Sequence, residues 1–258
     1  MFSQKSIAEN VSRWTSLGIK LPKELAEAVE IFEALLWTEV GHKPVFDISD
    51  VTTANAEDKI RTYAQELVLS DATGHLSVLE DAKSRAVEAA ARSVNALARA
   101  AVPDVIELLT PAFDEHAQAY IEAVGKLGPG VRAGLDNSHL FKLTAENLVS
   151  WGAEAVTAYG QAQQEAQYLN GISQWVANTN HLSGVIPREM ERTLRILRPT
   201  TMAELIKLDD AANKHADPTL AAIDPVLYIA ARRGIEFRIN TLQEANDIRR
   251  SLESGIQL

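Results

Sequence analysis

The chain contains no cysteine. That excludes a disulfide framework, a thiolate metal site and a cysteine nucleophile, and it leaves the redox compartment open. No stretch approaches the roughly 20 apolar residues that a membrane span requires. The opening MFSQKSIAENVSRW lacks the continuous apolar run of a signal peptide. A soluble protein is expected, cytoplasmic or assembled into a particle, with no membrane partner. Aromatic residues are scarce at 6%, so large core side chains are few. Recognisable chemistry is missing too. There is no His-Glu-x-x-His metal motif, no Walker loop and no Gly-x-Ser-x-Gly elbow.

What is abundant is alanine, the residue least costly in a helix. The net charge of −10 is unevenly spread. Residues 1–184 hold 24 acids and 14 bases, whereas residues 185–258 hold 11 of each. The acidic front repels nucleic acid and anionic lipid. The neutral back carries arginine clusters. Two regions follow: an acidic long-helix bundle over 1–184 and a smaller helical unit over 185–258.

Apolar spacing predicts helices over most of the chain. The first covers about 4–17. A second starts at Pro22, with the stripe Leu25, Val29, Phe32, Leu36 and Val40, and Gly41 as its cap. Residues 42–54 break the pattern as an extended loop or short strand. From Ala56 to Leu127 the pattern is helical, weakest at Gly74. Over 76–101 the seam reads Leu79, Ala82, Ala86, Ala90, Val94, Leu97 and Ala101. Asp81 with Arg85 and Glu88 with Arg92 form acid-before-base pairs on the other face. Pro103 opens the next stretch, whose stripe is Ile106, Leu109, Phe113, Ala117, Tyr120, Val124 and Leu127. Pro111 inside it predicts a kink or break after Leu108. A long helix follows over 145–178, with Gly152 and Gly160 as weak points.

Beyond it, Pro187 starts a short helix through Arg198. Thr201 with Glu204 forms a capping box for a helix over 202–215. Pro225 starts another that ends at Gly234. IEFRIN (235–240) alternates as a strand does, and Thr241 with Glu244 caps a last helix ending near Gly255. The fold class is therefore mainly α: an elongated bundle of long helices, with a smaller C-terminal helical unit and at most one short β element.

Three places invite a chemical reading. Asp114, Glu115 and His116 stand side by side, but adjacent residues point to different faces of a helix. Phe113, Ala117 and Tyr120 take the buried stripe, which leaves Asp114, Glu115, Gln118 and Glu122 on the wet side and His116 at the boundary. Glu165 interrupts an apolar seam. Either the seam shifts to Ala166 and leaves Glu165 exposed, or Glu165 pairs with a basic residue of a neighbouring helix or chain, or it is an ionisable functional group. The glycines of GPGVRAG (Gly128, Gly130, Gly134) follow a helix rather than a strand, so they read as a connection and not as a phosphate cradle. His42, His75, His139, His181 and His215 are scattered. No catalytic, metal or cofactor residue is assigned, and no cofactor is implied.

The arginines are the remaining signal. Arg188, Arg192 and Arg195 line one side of the 187–198 helix, and Arg232, Arg233, Arg249 and Arg250 follow. All seven are candidates for partner contact, set against local pairing with Glu189, Glu191, Glu236, Glu244, Asp247 and Glu253.

The leading expectation is a non-enzymatic structural or assembly protein, joined to further copies of itself or to other proteins through helical faces. In composition and organisation the chain resembles the helical head, connector or scaffolding components of tailed bacteriophages: acidic, cysteine-free, alanine-rich and long-helical. That resemblance involves no motif and assigns no residue. One alternative is an adaptor whose arginine-bearing back binds nucleic acid or an acidic partner. Another is a helical enzyme with its site assembled from distant residues, for which His116, Glu165 and His181 are the first to inspect.

Overall fold

Helices carry most of the chain, as its alanine content and apolar spacing imply. The computed structural model describes residues 3–18, 20–40, 44–70, 72–73, 76–128, 143–183, 191–213 and 216–255. The front elements are α1 (Gln4–Ser12), a 3-10 turn (Arg13–Leu17), α2 (Lys23–Trp37), α3 (Ala56–Ser70), β1 (Ala72–Thr73), β2 (Leu76–Ser77) and α4 (Val78–Gly125). Then come α5 (Ala145–Ser150), α6 (Ala153–Asn178), α7 (Asn180–Ser183), β3 (Leu197–Arg198), α8 (Met202–Asn213), α9 (Pro218–Ala221), α10 (Pro225–Arg233), β4 (Glu236–Phe237) and α11 (Leu242–Glu253). The chain is mainly α. Its β content is two antiparallel two-stranded ribbons, β1 with β2 and β3 with β4. No helix among the described residues is long and apolar enough to cross a membrane.

Contacts divide the chain into two units, Met1–Ser16 with Lys20–Ala98 and Leu17–Ile19 with Arg99–Leu258. The division falls inside α4, just before Pro103, and not at the change of charge balance after residue 184. Contact follows which apolar faces meet, whereas charge balance describes the wetted surface.

In the first unit, Ser3 caps α1 by accepting from the Ser6 amide at 3.1 Å. Ile7, Ala8, Val11 and Trp14 are buried, as are Leu25, Val29 and Phe32 of α2. α2 stops at Trp37, where the Thr38 hydroxyl donates back to the Ala34 carbonyl at 2.7 Å. Val40 therefore lies beyond the helix, and Gly41 lies outside the described residues. Residues 44–55 form bends and turns rather than a strand. Asp47 accepts from the Ser49 amide at 2.8 Å, the local bond that holds such a turn.

Two expectations about α4 are corrected. Its buried line in this unit is Val87, Ala91, Val94 and Ala98, one position round from most of the expected seam. Spacing marks a stripe, but a wide apolar arc does not say which edge is covered. Asp81–Arg85 and Glu88–Arg92 do pair, at 2.9 and 3.6 Å, on the exposed side. Nor does Pro103 open a new helix or α4 break after Leu108: of the expected kink or break the break is absent, and Pro103 and Pro111 both lie within one helix. Each proline lacks an amide donor, a cost of about 3 kcal/mol in a helix interior. Val105, Leu109, Phe113, Ala117 and Tyr120 are all buried around them, and their packing offsets that cost.

In the second unit, Gly152 takes a φ of 92° and ends the expected 145–178 helix as two pieces, α5 and α6. The α6 seam is Ala155, Ala158, Ala162, Ala166, Leu169, Ile172 and Val176, all buried. Two tyrosine hydroxyls reach from the long helices to the chain around α9. Tyr120 donates to the Ile223 carbonyl at 2.7 Å, and Tyr159 to that of Thr219 at 2.8 Å.

The helix expected over 187–198 is absent where it is described. Residues 193–197 are all buried, and β3 pairs with β4 in the register Leu197↔Phe237. The Asn240 amide donates to the carbonyls of Leu194 and Leu197 at 2.8 and 3.1 Å. A bent segment buried on all sides has no polar side to keep wet, so its backbone groups must find partners elsewhere in the fold. Pro187 and Arg188 lie outside the described residues. The later helices agree with the capping signals. Glu204 and Thr201 bond reciprocally at 3.2 Å, and Thr241 with Glu244 makes a complete capping box.

Candidate functional site

The most polar interior of the second unit is built around Arg249. It sits on α11, a helix whose first turn is held by the Thr241 cap. Its guanidinium donates to both oxygens of Glu191, at 2.5 and 2.9 Å, and to both oxygens of Asp209 on α8, at 2.8 and 2.9 Å. Thr193 lies within 3.2 Å of the same nitrogen, with its hydroxyl between the two carboxylates. Two forked carboxylate contacts use four of the five N–H donors of one arginine. The paired carboxylates push the Arg249 guanidinium above its ordinary value, against the effect of its burial. Burial works to raise the Asp209 carboxyl, but hydrogen bonds from Arg249 and Thr193 outweigh it and hold the group below its usual range.

Two cavities flank this network. One of about 450 Å³ is lined by Glu191, Arg192, Thr193, Asp209, Arg249 and Glu253 among others. A second, of about 250 Å³, shares Arg192 and Thr193 and adds Arg195, Ser173, Gln174 and Asp224.

The candidate arginines thus have different fates. Arg192 is exposed, and Arg195 is buried. Arg232 and Arg233 are half-buried at the end of α10, the former 5.9 Å from the Tyr228 ring centre. Arg249 is engaged internally. Arg250 points outward, 3.5 Å from Asp247. Arg188 lies outside the described residues. Local pairing holds for Arg250 with Asp247, but the partners of Arg249 are distant: Glu191 lies 58 residues away and Asp209 lies 40. No spacing rule reaches across such separations.

His116 and Glu165 do meet. The imidazole Nδ1 and a Glu165 oxygen are 2.6 Å apart, joining α4 to α6. Tyr168 stacks on the ring at 3.8 Å between centres. Asp114, Glu115, Gln118 and Glu122 are exposed, as the helical spacing requires. The α6 seam shifts to Ala166, but Glu165 is half-buried rather than exposed, and it meets His116 on the neighbouring helix, as the pairing alternative expects. No cluster of three or more metal-ligating side chains occurs among the described residues. His42, His75, His139 and His215 lie outside them.

No family model, curated protein or solved structure matches the chain.

The first unit offers a surface rather than a centre. None of the α3 residues 56–69 is buried. Ile60, Tyr63, Ala64, Leu67 and Val68 nevertheless form one apolar stripe at helical spacing. Ile60 is 60% exposed, Leu67 43% and Val68 67%. Only the edge of the stripe is covered locally, where Phe46 meets Tyr63 edge-on at 5.1 Å. Trp37, Val45 and Ile48, all more than three-quarters exposed, belong to the same unit.

Proposed function

We propose that the chain is a non-enzymatic assembly protein that works through helix–helix contacts in a larger complex. The observation that carries this reading is α3. A 15-residue helix is marginal in water by itself and draws its stability from burying an apolar face. Here that face is uncovered, and exposed large apolar residues in such number mark interaction surfaces. Head, connector or scaffolding roles are the forms of assembly that the composition favours. A second copy of the chain is the first partner to test. The adaptor reading retains Arg192 and Arg250 as exposed basic residues, whereas Arg249 is engaged by Glu191 and Asp209.

The deciding experiment is the native mass, by sizing chromatography with light scattering, over a wide concentration range. The expected result is a concentration-dependent multiple of 28.2 kDa, returned to the single-chain mass by Ile60→Glu with Leu67→Glu. A wild-type chain that stays monomeric at high concentration, and that purifies from its source in no larger particle, sinks the proposal.

A further inference from the structure

The β3–β4 ribbon sets Arg198 opposite Glu236 and Leu197 opposite Phe237. The Arg238 amide extends the pairing to the Ile196 carbonyl at 3.0 Å. Side chains alternate along a strand, so Glu236 and Arg238 share the face of Arg198. Ile235 and Ile239, on the other face, are buried, whereas Glu236 and Arg238 are exposed. Among the described residues neither Arg198 nor Arg238 makes an ion pair or a side-chain hydrogen bond, even with the facing Glu236. Two guanidiniums and one carboxylate leave this face net positive on a chain whose net charge is −10.

The opposite pattern stands on α2. Its inner side buries Leu25, Val29 and Phe32. Its outer side carries Glu24, Glu27, Glu30 and Glu33, all exposed. The one base within the helix, Lys23, lies 3.6 Å from Glu27. Acids three residues apart on a helix are neighbours and repel one another. Ile31 and Trp37 stand among them, 58% and 78% exposed. An arginine face complements such a surface, because guanidinium forks take carboxylates and guanidinium planes stack on indole.

We propose that the Arg198–Arg238 face of one copy docks on the outer side of α2 of a second copy. This inference rests on the assembly reading and adds a second contact to it. The two surfaces differ, so the contact is head-to-tail, and every joined pair keeps one surface of each kind open for a further copy. Exposed charge pairs are individually weak. The contact therefore enlarges complexes already joined through α3, and does not hold two chains by itself.

The test is complementation between two charge-reversed chains, read by light scattering at low salt. One carries Arg198→Glu with Arg238→Glu, the other Glu27→Lys with Glu30→Lys. Each alone should lose the larger complex and keep the smaller α3-joined species, with unchanged circular dichroism. Mixed, they should regain the larger complex, because reversed ribbon meets reversed helix and native ribbon meets native helix. The neutral change Arg238→Gln should raise the concentration needed for the larger complex about threefold. Raising salt from about 0.05 M to about 0.5 M should dissolve the larger wild-type complex. The proposal is overturned if either reversed chain or Arg238→Gln assembles as the wild type does. It is also overturned if the mixture fails to recover while Ile60→Glu with Leu67→Glu still gives single chains, and the assembly reading then stands without it. A wild-type chain that is monomeric throughout removes the assembly reading itself.

Discussion

Arg249 shows how one side chain can be read two ways from sequence and only one way in the fold. As part of an Arg249–Arg250 pair it looks like a basic patch. In the structure it is the shared counter-charge of Glu191 and Asp209, while Arg250 remains outside. Removing Arg249 from this part-buried network leaves the buried Glu191 carboxylate uncompensated, at a cost of about 3 kcal/mol. Arg249→Met should therefore lower unfolding free energy by about that amount in urea titration, and Arg250→Met by little. The pH dependence follows from Asp209. Its folded value lies below the ordinary 3.8, so the stability it contributes is complete above that value. It is lost as the pH falls through the lower, folded one. Melting temperature measured from neutral to strongly acidic pH should decline in that acid range, and Asp209→Asn should flatten that part of the decline.

Elements in this chain are set by their ends more than by their middles. Thr241 accepts from the Glu244 amide at 3.1 Å, and Glu244 accepts from that of Thr241 at 2.7 Å. Thr241→Ala removes half of that reciprocal cap and should destabilise α11 by about 1 kcal/mol in denaturant titration. Helix middles show the converse. Gly160 sits inside α6, and a methyl group built there meets nothing within 4 Å. Gly160→Ala should raise stability by about 0.5–1 kcal/mol, because the unfolded chain loses freedom and the helix gains a better former. Gly128 contrasts with it: an added Cβ would lie 2.8 Å from the Trp151 ring, and φ is 76°. There, alanine should destabilise.

At the scale of the whole molecule, the two units present different kinds of surface. The second is rich in buried polar contacts among its own segments, and its tyrosines, Asn240 and Arg249 each join parts of the chain far apart in sequence. The first leaves α3 uncovered along its apolar stripe. Hydrogen exchange can separate the two. Amides of residues 60–68 should exchange quickly in the isolated chain and become protected in the assembled state, while those of buried α6 should be protected in both. Equal and strong protection of α3 in a monomer would contradict its role as an assembly face.

Much of this architecture is legible residue by residue, because its determinants are local. Pro225 and Gly234 bracket α10, the two capping boxes open α8 and α11, and apolar spacing marks the second half of α4. Such signals act over a few bonds, so one chain segment carries all the information. Tertiary contact decided the rest. It kept α4 continuous through two prolines, turned 193–197 into a buried, bent segment leading into β3, and brought Glu165 to His116 across 49 residues. Arg192 and Arg195 stood out in the sequence, but Asp224 and Ser173, which share their cavity, carried no signal there. Periodicity says which side chains need cover or a counter-charge. Which distant groups supply them depends on which faces meet, and that is a property of the folded chain alone.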